Sequence, residues 1–250
     1  MKGFEHMTDK DNKREYTESG DILYRHDGEG KEFTFHADID GEAREKMEAH
    51  IEKYYGPIHM VYHEIVSHLI HLDIYHIAPS EDRPYHTLIT QGMSDLPMST
   101  PPEVDGDRYM ELMCFLPPEW DISEEGFKHE HVYWPIENLK FLARMPHELD
   151  TWLGYGHTIQ NDNPIQPFAF NTKLCASLII PPVGVSDKAW TVHVREEKAV
   201  HFYNVFPLYK SEMNYKTRRG TDKLLDRFDK YGINDIYDIS RKNVCRRLWF

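Results

Sequence analysis

Along much of this chain apolar and polar residues alternate with a period of two. From His68 to Ile77, one face carries His68, Ile70, Leu72, Ile74 and His76, and the other Leu69, His71, Asp73, Tyr75 and Ile77. An apolar centre with polar ends on one side and a mixed set on the other predicts a half-buried strand. Further strands are expected near 58–64, 85–92 and 108–116, in FAFNTKLCASLII and in AVHFYNVFPL, with a last strand or turn in GINDIYDI. Two short strands around the turn Asp27-Gly28-Glu29-Gly30 fit residues 21–36.

Helical spacing is confined to a few places. Ala43, Met47, Ile51 and Tyr54 form a stripe over about 42–55, capped by Asp38 or Asp40 and stopped by Gly56-Pro57. A second helix is expected to start with Pro135 at its first position and Glu137 in its first turn. It would bury Ile136, Leu139, Leu142 and Met145 and stop at Pro146. Ser211 and Thr221 cap two short helices, the first ending near Gly220 and the second before Gly232. Strands outnumber helices, and no strand–helix–strand unit repeats. The predicted class is α+β: a single domain over 21–250, with a mixed, mostly antiparallel sheet and helices packed on its faces, after a polar arm at 1–20.

With 250 residues, 40% of them hydrophobic, the chain can bury a sizeable core. Its formal net charge of −13 argues against a nucleic-acid binder. The balance is uneven, because from Lys210 onward the chain is locally basic. Cys114, Cys175 and Cys245 are widely spaced and form no CxxC, so neither a disulfide framework nor a zinc knuckle is expected. The polar N-terminal stretch lacks the apolar region of a secretory signal. LCASLIIPPVGV is too short and too proline-rich to span a membrane. A cytoplasmic protein with no membrane partner is the expectation.

Sixteen histidines make metal chemistry the first thing to test. His63-Glu64 is followed by His68, a spacing of five where the zinc-protease helix needs four. Five helical steps turn the second ring about 140° from the first, so that motif fails. On a strand, however, His71 and Asp73 share a face. His129-Glu130-His131 is a second pair of neighbouring rings, without a third ligand at a familiar spacing. No phosphate loop or nucleophile elbow occurs. Gly154-Tyr155-Gly156 is too short for one, and Ser94-Asp95 reads as a turn held by its Asp. Glu148, Asp150, Trp152 and His157 form a charged and aromatic cluster suited to acid–base work or to holding a partner. Trp134, beside Pro135, reads as a core anchor.

Five ordered segments carry a resemblance: RPYHTLITQGMSDLPM, RYMELMCFLPPEW, YWPIENLKFLARMPHE, TWLGYGHTIQN and FYNVFPLYKSEMNYK. Together they resemble the bacterial branch of the Suppressor of fused (SUFU) domain family, over about residues 40–245. The resemblance implies a non-enzymatic binder. The animal protein sequesters a transcription factor with this domain and a further C-terminal one, adding a peptide as a strand. The present chain corresponds to the first of these domains. Bacterial members are implicated as immunity proteins that neutralise toxins. No catalytic residues are agreed for the family, so none carry over. Gly92, Ser94, Asp95, Glu111, Trp134, Pro135 and His157 match the shared motif.

The expectation is therefore a protein-binding module without cofactor or metal, whose acidity suits a basic toxin. Asp95, Glu111, Glu148, Asp150, Trp152 and His157 are its candidate contact residues, and strands 68–77 and 174–180 its candidate edges. The alternative is a zinc-dependent hydrolase built from His63, His68, His71, His129, His131 or His157 with a Glu base.

Overall fold

A computed structural model describes residues 15–24, 40–64, 70–104 and 108–246. In chain order the elements are β1 Glu15–Tyr16, β2 Ile22–Leu23, α1 Gly41–Tyr54, β3 Ile58–Tyr62, β4 Asp73–Ile77, β5 His86–Gln91 and β6 Met110–Leu116. There follow α2 Glu130–Glu148, β7 Thr158–Gln160, β8 Leu174–Ile180, β9 Thr191–Arg195, β10 Lys198–Tyr209, α3 Lys210–Arg219 and α4 Thr221–Tyr231. Strands β1 and β2 pair in a small separate hairpin. The main sheet runs β3-β4-β5-β6-β10-β8-β7. All its pairings are antiparallel except β6 with β10. His201 of β10 pairs with both Met110 and Thr191, and Asn204 with both Met113 and Ile180. Thus β9 and β8 follow one another along the side of β10 that faces away from β6.

Strand parity sorts the core into layers. Ile70, Leu72, Ile74, Leu88, Leu112, Cys114 and Val205 pack under α2 through Trp134, Leu139 and Leu142. Tyr75, Ile77, Ile89, Met113, Phe115 and Phe202 face the other way, onto Ala43, Met47 and Ile51 of α1. Farther along, Ala176, Leu178, Phe206 and Leu208 pack against Leu224 and Phe228 of α4. The class is α+β, a mixed and mostly antiparallel sheet with helices on both faces. Because both faces are covered, β4 is buried throughout rather than half-buried. It lies between β3 and β5, and β8 between β10 and β7. Neither strand proposed from sequence as a peptide-accepting edge is therefore at an edge; among the described residues the edge strands are β3, β7 and β9.

Asp40 caps α1, its Oδ1 accepting from the Ala43 N–H at 3.1 Å. Helix α2 begins five residues before the predicted Pro135 and runs through both Pro135 and Pro146. A proline within a helix leaves the carbonyl four residues earlier without its usual donor. For Pro135 that carbonyl is His131's, and the Asn171 side-chain amide donates to it at 3.5 Å. Helix α3 starts one residue before Ser211, with Glu212 bonding back to the Tyr209 N–H, and α4 ends at Gly232 in the left-handed conformation. GINDIYDI contributes a single bridge, Ile236 to Phe115. The expected strands around Asp27–Gly30 lie outside the described residues, as do Asp38 and His68. Cys114 and Cys175 are buried and unpaired. Among the described residues no helix is long and apolar enough to cross a membrane.

Candidate functional site

Residues 151–160 leave α2, cross the end of the sheet and join its edge as β7. Gly156 makes this path possible. Its φ of 78° is left-handed, its N–H donates to the Ile179 carbonyl at 2.8 Å, and a Cβ there would lie 2.6 Å from Thr221 Oγ1 at the start of α4. The chain then enters register with β8, Thr158 opposite Leu178 and Gln160 opposite Ala176. Between this segment, the β1–β2 hairpin and helices α3 and α4 lies a cavity of about 950 Å³.

Three aromatic rings stand together in its wall. Trp152 and His157 have ring centroids 4.3 Å apart, and Tyr24 lies 6.5 Å from Trp152 and 6.1 Å from His157. Trp152 Nε1 donates to the Tyr24 hydroxyl at 3.2 Å. Burial, reinforced by the nearby Lys216 charge, pushes His157 down to about 4, so it is neutral at neutral pH. Lys216 is itself buried on α3 and donates to Asp21 Oδ2 at 3.0 Å. Partial burial acts to raise the Asp21 carboxyl, but the Lys216 bond and charge prevail and hold it below the usual range. That pair, with the Ser19 N–H donating to the Thr217 carbonyl at 3.1 Å, ties the hairpin to α3. Across the cavity the exposed Tyr155 donates to Asp222 at 2.7 Å.

Of the six predicted contact residues, the fold brings Trp152 and His157 together. Asp150 is exposed nearby, at a left-handed φ of 49°. Glu148 turns to a different groove, which it lines with Glu64, Phe141 and Arg144. Asp95 is exposed beyond β5, and its carboxyl is raised because desolvation by its surroundings outweighs the lowering charges of Lys198, Arg44 and His71. Glu111 must be corrected as a contact residue, since its exposure is 0%. It accepts from Thr90 Oγ1 at 2.6 Å, from the Gly92 and Ser94 N–H groups at 3.0 Å each, and from Ser94 Oγ at 2.7 Å. Burial outweighs these donors and lifts its pKa to about 7. The Gly92–Asp95 turn is thus held by Glu111, and the Ser94 hydroxyl is spent on it rather than poised as a nucleophile.

Among the described residues, which leave out His68, the histidines of the hydrolase alternative do not all gather at one centre. His129 and His131 stand 5.6 Å apart at the start of α2, with His131 against Phe170 at 5.0 Å. His157 is in the cavity wall. Among the described residues one group of three possible ligands converges: His63, His71 and Asp73, at the β3–β4 hairpin. Sequence reasoning missed Tyr24, Asp21 and Lys216 at the cavity, which carry no local signal and are joined to Trp152 only by the fold.

An edge strand beside an aromatic-walled cavity offers backbone groups and ring faces to an extended segment. The model of the Suppressor of fused protein (SUFU) family matches residues 68–242. The chain belongs to the SUFU family. Its fold is similar to that of a protein described as a suppressor of fused homolog from Neisseria gonorrhoeae FA 1090, at 16% identity and a TM-score of 0.61, covering 83% of this chain and 99% of that one. It is also similar to a chain of the Sufu–Fu complex, at 15% identity and a TM-score of 0.58, covering 80% and 91%. No curated protein sequence matches.

Proposed function

We propose that this chain is a non-enzymatic binding protein of the bacterial cytoplasm that sequesters a basic protein partner, a toxin in an immunity-type pairing. The observation that carries the reading is the Tyr24–Trp152–His157 cluster over a cavity beside edge strand β7. An extended segment of the partner adds along Thr158–Gln160 through backbone hydrogen bonds and seats an apolar or aromatic side chain against Trp152. Asp95, Glu148 and Asp150 contribute to the negative charge that steers a basic partner. Family membership and the likeness to a protein crystallised as the Sufu–Fu complex support a protein partner. The net charge of −13 supports a basic one, steered by long-range attraction, and disfavours nucleic acid and anionic membranes.

The test is capture with the tagged chain in the cytosol of its source, followed by purification of the retained protein. A basic protein should survive a moderate-salt wash, bind with an association rate that falls as salt rises, and bind Trp152→Ala at least 30-fold more weakly, the effect of a central interface anchor. Capture of no protein, or of one that binds the Trp152→Ala variant equally well, overturns the reading.

A further inference from the structure

The β3–β4 hairpin places three metal-ligating side chains around one point. Continuing the register Tyr62 opposite Ile74 sets His63 directly across from Asp73. His71 lies two residues before Asp73, in the segment that leads into β4. A cross-strand partner and an i, i+2 neighbour are the nearest side chains that a sheet surface can supply. His63 Nδ1 lies 3.1 Å from Asp73 Oδ1, and His71 Nε2 lies 3.1 Å from the same oxygen. All three ligand atoms fall within 4.8 Å of one another.

We propose that His63 Nδ1, His71 Nε2 and Asp73 Oδ1 form a binding site for a late first-row divalent cation, Zn²⁺ foremost, with its remaining position open to solvent. Bonds of about 2.0–2.2 Å in a tetrahedral shell put neighbouring ligand atoms roughly 3.3–3.5 Å apart. Two edges of the triangle are already near that spacing, and small ring rotations adjust the third. The donor set, two imidazoles and one carboxylate oxygen, suits zinc, iron, cobalt or nickel rather than calcium or magnesium.

The surroundings support a site more than an incidental hydrogen-bond cluster. Asp73 is 1% exposed, and its other oxygen accepts from Arg44 Nη2 at 3.2 Å. Arg44 is steadied in turn by Glu48 at 3.2 Å and the Tyr75 hydroxyl at 3.0 Å, and Tyr75 donates to Glu48 at 2.6 Å. Helix α1 therefore fixes the carboxylate with Oδ1 aimed at the two rings, the kind of outer support that orients metal ligands. Since Arg44 already answers its charge, Asp73 does not need two imidazole donors on one oxygen. The His63 side chain is 67% exposed, and a solvent-screened hydrogen bond returns little for the rotamer freedom it gives up. A metal ion would take one ring nitrogen from each imidazole and keep an exchangeable position on the solvent side.

The full chain, stripped with chelator, is titrated with Co²⁺ and then Zn²⁺. One equivalent of Co²⁺ should produce the visible absorption of a low-coordinate site, and one equivalent of Zn²⁺ should remove it. His63→Ala, at an exposed ring, should fold normally and weaken binding at least 10-fold. His71→Ala should abolish the cobalt signal, and His129→Ala should leave it unchanged. Absence of the signal in the wild type, equal titration of the wild type and both ligand variants, or its loss in His129→Ala overturns the proposal. Asp73→Asn is read alongside its circular dichroism, and if it fails to fold, the two histidine variants decide.

Discussion

Glu111 and Asp73 are carboxylates of the same sheet, each almost wholly withdrawn from water, and each is satisfied in its own way. Glu111 accepts from two hydroxyls and two backbone N–H groups, all interior. Asp73 accepts from Arg44 and lies against two imidazoles, and these partners reach solvent. Backbone amides and threonine hydroxyls can do nothing but hold the carboxylate. Imidazoles can exchange a donated proton for a metal ion. Burial alone therefore does not separate an anchor from a ligand; what the partners can become does. The two sites also touch. A Cβ on Gly92, in the turn that Glu111 holds, would fall 1.9 Å from the His71 carbonyl oxygen.

Removing each carboxylate tests this contrast most strongly. Glu111→Ala leaves four donors in a dry interior and should cost about 3–5 kcal/mol of folding stability, read from the denaturant midpoint. Asp73→Ala should cost less, about 1–2 kcal/mol, because Arg44, His63 and His71 can turn to water. If Asp73→Ala proves the more damaging, the distinction between anchor and ligand fails.

Gly92→Ala addresses the link between the two. With φ at 117° and the His71 carbonyl in the way, it should cost about 2–3 kcal/mol. It should also weaken Co²⁺ binding by shifting the segment that carries His71. Stability lost with cobalt affinity unchanged would mean that the turn and the cluster are mechanically independent.

How far these features can be read from the sequence depends on whether the signal is local. The period-two pattern placed Ile70, Leu72 and Ile74 on one face and Tyr75 and Ile77 on the other, and they enter separate cores. The stripe of α1 was legible through Ala43, Met47 and Ile51, although Tyr55 rather than Tyr54 is the aromatic it buries. The start of α2 was not, because Pro135 normally marks a first turn and its compensation comes from Asn171, distant in sequence. Strand β7 is three residues long, too short for a periodic signal, whereas the alternation of β9, Thr191–Arg195, was legible in the sequence but missed. Trp152 and His157 share one loop and were legible as a pair. Tyr24 and Lys216 meet them only through the fold. Glu111 offered a clue in hindsight, a lone charge in the apolar run MELMCFL. The strand pattern already put His71 and Asp73 together, but His63 joins them only through the antiparallel register, which a helical test of His63 and His68 cannot see.

The smallest effect, and the finest test of the contrast, is in the pH dependence of stability. Glu111 titrates near 7 in the folded chain, against an ordinary value of 4.5. Between those values the folded state holds one more proton than the unfolded state, so stability from this group falls as pH rises. The contribution is present in full below about 4.5 and gone above about 7. His76 and His157, both pushed down to about 4 by burial, act oppositely, because protonation favours the unfolded chain as pH falls below about 6.5. The wild-type curve mixes these slopes, but its difference from Glu111→Gln isolates one carboxyl. Gln keeps the size and an acceptor oxygen without the charge. The substitution should therefore cost about 2 kcal/mol more at pH 5 than at pH 8. A difference that does not vary with pH would mean that the four donors hold Glu111 ionised throughout, a permanent buried anion. The anchor would then stand on its hydrogen bonds alone, with no proton to lose.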